Sequence, residues 1–575
     1  MSAIRIVRRD AAAAPRLEAQ GVAPVLARVF AGRGIRDVAE VDHRLRHLHA
    51  PDQLGGIEGA ATLLASAITG QRRIVVAGDF DCDGATGCAV GVRGLRMLGA
   101  HDPDFAVPNR AIHGYGLGPA LVESLRGREP GLIVTVDNGV AAHAGIDAAN
   151  ALGIPVLVTD HHLPGERLPD AAAIVNPNLP GDPFPSKALA GVGVLFYLLL
   201  ATRARLRAEG WFDAARPEPD LGALLDLVAL GTVADLVPLD RNNRALVAAG
   251  LRRIRNGDAC AGIAALFEVS GRDPAQATAS DLGFAIGPRI NAAGRLEDMG
   301  IGIRCLLARD RADALPLAAR LDAINAERRE LQAQMTDEAA AIADRLDAQA
   351  AGAAAGVCLF DPGWHAGVVG LVASRMKDRL RRPVVAFAPA GDEPGMLRGS
   401  GRSVDGLHLR DVLAEIDARH PGLLARFGGH AMAAGMGLAA ARLAEFRAAF
   451  DAAVAARRPA QTDDIACWTD GELAASDATL SLAETLRDAA PWGQAFPEPL
   501  FDGVFTVDEC RVLNGRHLRL RLRHAACGTP VDAMHFDGVG QGAEAPVIRC
   551  AYQLAIDAWR GERRLRLFLR AALPA

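Results

Sequence analysis

The stretch Ile74-Val75-Val76-Ala77-Gly78-Asp79-Phe80-Asp81-Cys82-Asp83-Gly84 decides the fold class of this chain. A short β-branched run gives way at once to a glycine and three carboxylates at alternate positions. The same pattern returns twice: Leu132-Ile133-Val134-Thr135-Val136 ends in Asp137, and Val156-Leu157-Val158-Thr159 ends in Asp160-His161-His162. Unbroken apolar runs of this length suit strands buried on both faces of a parallel sheet. Helical stretches lie between them, at 87–98, 119–126 and 141–152, so residues 72–237 carry the βαβ rhythm of a doubly wound α/β sheet. Open sheets of this kind bind ligands just past the carboxyl ends of their strands. All of these acids and histidines fall there.

Working outward, residues 1–70 read as a helical lead-in and 71–305 as the first α/β domain. Residues 311–347 hold one proline and no glycine, with Leu321, Ile324, Leu331, Met335, Ala339, Ile342 and Leu346 at helical spacing. This predicts a long connecting helix within 306–350. A second, smaller α/β unit follows at 351–456, and 457–464 (RRPAQTDD) reads as a linker. From 465 to 575 the period changes to two. In His517-Leu518-Arg519-Leu520-Arg521-Leu522-Arg523 the leucines share one face and the arginines the other. Arg564-Leu565-Arg566-Leu567-Phe568-Leu569-Arg570 repeats this with an aromatic in the basic row. The expectation is an OB-like five-strand barrel with a nucleic-acid track along Arg519, Arg521, Arg523, Arg564, Arg566 and Phe568. A merely solvated outer face is the alternative.

The bulk numbers narrow the class. With 575 residues, half of them hydrophobic, the chain can build several cores, roughly three to five domains by length. The apolar stretches are too short to span a bilayer and the first residues lack the apolar core of a secretory signal, so a cytoplasmic location is expected. Nine scattered cysteines form no CxxC pair, which argues against a zinc site or disulfide framework. A net charge of −5 does not by itself suggest a polyanion partner. Of 63 basic residues only Lys187 and Lys377 are lysines. Arginine is the better phosphate fork where it lines a site, although a GC-rich genome also produces this bias.

Carboxylates converging with an imidazole suit two-metal phosphodiester hydrolysis, in which paired divalent ions hold both the attacking and the leaving oxygen. Asp81 and Asp83, at i and i+2, are expected to point the same way from a strand end, with Asp137 bridging and His161 supplying nitrogen. Asp235, in GTVADLVPL (231–239), is a further candidate on spacing. An oxygen-rich set with one imidazole favours Mn²⁺ or Mg²⁺ over zinc.

Taken in order, DFDCDG, VDNG, TDHH and GTVADLVPL resemble the four metal motifs of the DHH phosphoesterase superfamily. Further stretches narrow the resemblance to its RecJ branch of bacterial 5′-to-3′ exonucleases specific for single-stranded DNA: PNRAIHGYGL (108–117), GPRINAAGRLED (287–298), WHAGVVGLVASR (364–375), GSGRS (399–403), FGGHAMAAG (427–435) and PWGQAFPEPLF (491–501). The resemblance implies Asp81, Asp83, Asp137, His161 and Asp235 as metal ligands. It places His162 at the scissile phosphate and makes Asp160 the residue that orients the histidines. Arg110, Arg295, Ser400, Arg402 and His430 are implied to bind the substrate backbone and its 5′ end. One position departs from the pattern: many superfamily members carry a histidine four residues before the first acid of the DxD pair, where this chain has Ala77. Asp79 or water is expected to substitute, with one ion held tightly and the other recruited with substrate.

The resulting expectation is an exonuclease of DNA recombination and repair, acting as a monomer. The resemblance further implies a single-stranded-DNA-binding protein and a RecQ-type helicase as partners. Two other readings stay open: a phosphodiesterase of short oligonucleotides or cyclic dinucleotides, and a non-catalytic scaffold that binds single-stranded DNA.

Overall fold

The computed structural model describes residues 4–109, 115–349, 354–391, 393–457, 465–474, 476–525, 528–559 and 562–575. The chain opens with strand β1 (Ile4–Arg8), so the first seventy residues are not purely helical as expected. The first α/β unit contains β2 (Ile74–Ala77), β3 (Asp104–Ala106), β4 (Leu132–Val136), β5 (Val156–Thr159) and β6 (Ala173–Val175). They form one parallel sheet in the order β3-β2-β4-β5-β6. Every residue of β2, β4 and β5 is buried. Alternation sends Ile74, Val76, Leu132, Val134 and Leu157 into one core and Val75, Ala77, Ile133, Val156 and Val158 into another on the opposite face. The helices Cys82–Met97 and Gly191–Ala208 cover the first face, and Pro119–Leu125 and His143–Ala151 cover the second.

This strand order has a functional consequence. The chain runs from β2 outward to β3, then returns past β2 to β4. The switch point therefore lies between the carboxyl ends of β2 and β4, where crossovers leave in opposite directions and a crevice opens.

The second unit contains β7 (Val357–Phe360), β8 (Val384–Pro389), β9 (Met396–Arg402), β10 (Arg426–Gly429) and β11 (Ala433–Ala439), in the order β10-β11-β9-β8-β7. Only β7 and β8 are parallel; the other pairs run antiparallel. The helix Arg311–Gln349 joins the units and, at 39 residues, is about 58 Å long. Its Ala314, Ala318 and Leu321 belong to the core of the first unit, while Met335, Ala339 and Ala343 belong to that of the second. A single rigid element thus sets the spacing between the two.

Strand β12 (Ile465–Thr469) pairs in parallel with β1. The last five strands, β13 (Phe501–Leu513), β14 (His517–His524), β15 (Pro530–His535), β16 (Val547–Trp559) and β17 (Glu562–Pro574), close into a barrel in the order β13-β14-β15-β17-β16. Leu518, Leu520 and Leu522 are buried inside it, as the alternation required. The linker expected at 457–464 lies outside the described residues beyond Arg457, the last residue of the helix Leu443–Arg457.

Candidate metal centre and substrate cleft

The VDNG turn after β4 is built around three separate demands. Asp137 sits at φ 61°, a left-handed conformation costly for a non-glycine residue and typical of functional sites. Asn138 is buried and donates to Ala77 O at 3.1 Å and Val136 O at 2.9 Å, tying the end of β2 to that of β4. Gly139, at φ 122°, approaches Thr135 and Val158 too closely for a side chain.

The TDHH turn after β5 is held just as firmly. Asp160 accepts hydrogen bonds from the backbone N–H groups of Val140 (2.9 Å), His161 (2.7 Å) and His162 (3.1 Å), and its Oδ1 lies 2.8 Å from His162 Nδ1. Burial alone would raise this carboxyl; the bonds to His162 and the backbone hold it below its ordinary range. His162 responds in the opposite direction. Burial opposes its charge, yet the Asp160 partner lifts its pKa above the usual imidazole value. Asn176 and Asn178 donate to the carbonyls of His162 and His161 at 2.8 and 2.6 Å, a support that sequence reasoning did not single out.

The DxD pair corrects one expectation. Asp81 and Asp83 do not leave a strand end side by side. They begin the helix Cys82–Met97, with Asp81 as its N-cap, accepting from Gly84 N at 3.0 Å. Helical geometry turns positions i and i+2 apart. Asp83 points inward, where its oxygens accept the N–H groups of Gly191 (2.6 Å) and Val192 (3.0 Å) at the start of the helix Gly191–Ala208. Cys82 between them is buried in the core.

Three ligand-sized groups result, each with its donor atoms within 4.8 Å of one another: Asp79 with Asp81 and Asp137; Asp83 with His161 and Asp235; and Asp137 with His161 and His162. Asp137 and His161 are each shared by two groups, the arrangement a bridging position needs. His161 Nε2 stands 3.0 Å from Asp137 Oδ1 and 3.5 Å from Asp235 Oδ2. Burial and the neighbouring His162 push His161 down to about 4, which favours a neutral imidazole. Burial and Asp81 raise Asp83 to about 7, and burial with neighbouring acids pushes Asp137 and Asp235 well above the ordinary carboxyl range. Asp235 Oδ2 is buried with no hydrogen bond. An oxygen-rich, mutually repelling set with an unbonded buried oxygen and one neutral imidazole fits hard divalent cations such as Mn²⁺ or Mg²⁺. Asp79, the acid expected to substitute for the missing histidine at Ala77, is grouped with Asp81 and Asp137.

Across from this cluster lies a cavity of about 790 Å³ between the two units. Tyr115, Asn138, Asp160 and His162 line one wall; Arg398, Ser400, Arg426, Gly428, Gly429 and His430 line the other. The rings of His162 and His430 face each other across it, centroids 6.4 Å apart. Arg398, Ser400 and Arg402 share one face of β9 by simple alternation, a signal in the sequence from which only Ser400 and Arg402 had been drawn. Arg402 stands behind Ser400, 3.3 Å from its Oγ. Arg295 donates to Gly367 O at 3.5 Å, reaching the second unit outside the cavity lining. Arg110 lies outside the described residues. Tyr115, also missed, sets its ring edge-on to His162 and Phe80, at 6.2 and 5.8 Å.

The barrel track is only partly as expected. Arg521 pairs with Asp532 at 3.3 Å, Arg523 with Asp508 and Arg566 with Asp557 at 2.7 Å each, and Arg564 with Glu562. The basic rows are therefore largely neutralised by acids on the same sheet.

A switch-point cluster of carboxylates and paired histidines, faced by a second α/β unit across a cleft, defines a DHH-type phosphoesterase architecture. Comparison with known proteins agrees: residues 73–232 match the DHH family, N-terminal domain, residues 349–456 the DHHA1 domain and residues 469–571 the RecJ OB domain. The single-stranded-DNA-specific exonuclease RecJ of Dickeya dadantii is 50% identical over 96% of this chain and 96% of its own length. That of Escherichia coli K12 is 46% identical over 99% of each. The crystal structure of RecJ in complex with Mn²⁺ from Thermus thermophilus superposes with a TM-score of 0.80 at 32% identity, covering 100% of this chain and 80% of that one. Its Mg²⁺ complex gives 0.75 at 30% identity, with 100% and 78% covered. The chain belongs to the RecJ exonuclease family. Among its described residues no helix is long and apolar enough to cross a membrane.

Proposed function

We propose that this chain is a divalent-metal-dependent exonuclease that degrades single-stranded DNA from its 5′ end to mononucleotides, in DNA recombination and repair. The supporting observation is the juxtaposition of two unlike walls. The carboxylate–histidine cluster faces a cavity lined by Arg398, Arg426, Ser400, His430 and glycine backbone, with the His162 and His430 rings facing each other across it. Guanidinium forks and close backbone amides suit a terminal phosphate. A strand whose end is seated there presents its first phosphodiester to the cluster, which is what an exonuclease requires.

Asp81, Asp83, Asp137, His161 and Asp235, with Asp79, would hold two ions, Asp137 bridging. Cations held there supply Lewis acidity and activate water near neutral pH. The chain's own residues do the rest. His162, whose protonated form Asp160 favours, is placed to neutralise the scissile phosphate and to donate a proton to it. His161 stays neutral and oriented by the Asn178 bond to its carbonyl. Ser400, Arg402 and His430 fix the end, with Arg110 and Arg295 contributing from the first unit. The protein acts as a soluble cytoplasmic monomer alongside a single-stranded-DNA-binding protein and a RecQ-type helicase.

The test is digestion of a single-stranded oligomer labelled at either end, beside a duplex and a dinucleotide, with Mn²⁺, Mg²⁺ or chelator. Metal-dependent mononucleotide release from the 5′ end of the single strand is expected. Cleavage of the dinucleotide alone would move the assignment to a small-substrate phosphodiesterase, and binding without cleavage to a scaffold.

A further inference from the structure

We infer that single-stranded DNA beyond the cleft is carried on a ladder of rings, His517, Phe536, Phe568 and Phe284, and not on the acid-paired arginines Arg521, Arg523, Arg564 and Arg566 of the barrel. This rests on the exonuclease reading above. Those arginines are committed elsewhere: Arg521, Arg523, Arg564 and Arg566 each pair with a carboxylate of the barrel. The phenylalanine rings have no such competitor. His517 and Phe536 meet edge to face at 5.5 Å, and Phe536 and Phe568 at 5.6 Å, with His517 on β14, Phe536 just past the end of β15 and Phe568 on β17.

Register places them on one face. Arg519 lies opposite Met534, which lies opposite Phe568, so these three share one side of β14, β15 and β17, with His517 two residues from Arg519 on that same side. Arg519 and Arg570, which flank this strip, make no ion pair with a described carboxylate. The strip therefore combines apolar rings with two positive charges that no acid neutralises, the pairing that a single strand's bases and phosphates require.

The ladder continues onto the catalytic unit. Phe284 is 81% exposed, an unusual position for a phenylalanine, while its neighbours Leu282 and Ile286 are fully buried. It projects from the π-helical turn Leu282–Ile286, a wide turn that tends to mark functional positions. Phe284 and Phe568 line the same hollow of about 320 Å³, together with Arg272 and Arg570. The turn runs directly into the helix Gly287–Leu296, whose Asn291 accepts the backbone N–H of Cys82 at 2.8 Å, in the carboxylate loop itself. Phe284 is seven residues, about 10 Å along a helix, from that contact. The rings thus form a path from the barrel onto the element that also holds the carboxylate loop, and stacking on it is indifferent to base identity.

The experiment compares kcat/KM for a 20-nucleotide and a 4-nucleotide 5′-phosphorylated strand, with Mn²⁺, for the unmodified protein and the Phe284→Ala/Phe536→Ala double variant. Both residues are exposed, and a thermal melt checks that the variant is folded. The 20-mer to 4-mer ratio should fall about tenfold in the variant, the loss expected when stacking is removed. A second arm uses only the unmodified protein: abasic positions scanned along the 20-mer should weaken its binding at two or three interior sites. An unchanged ratio or an absence of such weakening would overturn the ladder, as would a larger loss from Arg521→Ala/Arg566→Ala. If the unmodified protein cleaves neither strand, the exonuclease reading fails and the ladder with it; cleavage of both with an unchanged ratio removes only the ladder.

Discussion

His162 and His430 stack across the cleft with ring planes 13° apart, although they belong to different α/β units. The first is the histidine whose charged form Asp160 favours, raising its pKa above the ordinary imidazole value. The second is pushed below the ordinary imidazole value, first by burial and then by the charge on His162. The two rings are therefore biased in opposite directions while sharing one space, a division that fits the proposed roles at the scissile phosphate and at the strand's end.

Replacing His430 with alanine separates those tasks. A hydrogen bond to a charged group contributes about 1.5–3 kcal/mol, so kcat/KM on a 5′-phosphorylated strand should fall about 10- to 100-fold. The rise in thermal midpoint on adding Mn²⁺ should persist, because His430 belongs to none of the ligand-sized groups. Loss of that rise would show that the residue supports the cluster instead.

Asp81 and Asp83 should behave differently despite their shared motif. Asp83 is 1% exposed and satisfies two backbone N–H groups, so Asp83→Ala leaves both buried and unbonded at about 1–3 kcal/mol each. It should lower the thermal midpoint of the metal-free protein and abolish cleavage. Asp81→Asn keeps an N-cap oxygen and should leave that midpoint nearly unchanged while removing the Mn²⁺-induced rise. Equal destabilisation by the two variants would contradict the geometry.

Much of this was legible along the chain because it is local. Ile74 to Val76, Leu132 to Val136 and Val156 to Thr159 announce buried strands by composition, and the acids and histidines that end them lie together in space because parallel strands share one carboxyl edge. Leu518, Leu520 and Leu522 likewise declared the barrel interior. What stayed hidden depends on distant partners. The orientation of Asp83 is set by Gly191 and Val192, more than a hundred residues away. Strand β1 exists because residues 4–8 meet residues 465–469. The three-residue strands β3 and β6 carry too little periodicity to register. The basic rows looked like a phosphate track because their neutralising acids, Asp508, Asp532 and Asp557, sit on other strands.

The β1–barrel junction gives a pH dependence. Asp502 is 1% exposed and accepts from Arg8 at 2.7 Å and Thr469 Oγ1 at 2.8 Å. Burial raises its pKa, but Arg8 and Thr469 prevail and hold it below the ordinary carboxyl value. A carboxyl lowered in the folded state stabilises above its unfolded value near 3.9, and that contribution is lost as pH falls through the folded one. Asp502→Asn should cost about 2 kcal/mol at pH 7, since Thr469 and Arg8 lose a charged acceptor. The difference between the two proteins should close as pH drops from about 4 toward 2. Thermal midpoints measured across that range would test it, and parallel curves would exclude Asp502 as the group responsible.

Gly191→Ala tests whether the position of Asp137 is as tightly set as the packing indicates. A Cβ on Gly191 would stand 2.5 Å from Asp137 Cβ and 2.9 Å from its backbone nitrogen, closer than real side chains come. The same residue donates to Asp83, so the strain has two outlets: the helix Gly191–Ala208 withdraws from Asp83, or Asp137 is driven out of the cluster. Either displaces a carboxylate by a fraction of an ångström or more, and misplacement on that scale costs about 100-fold in rate. Gly59→Ala is the matched control. It lies inside the helix Ile57–Thr69 with nothing within 4 Å of the added carbon, so it should stabilise the protein by about 0.5–1 kcal/mol and leave cleavage intact. A Gly191→Ala protein that folds with full activity would mean that Asp137 tolerates movement, and the bridging position assigned to it would have to be abandoned.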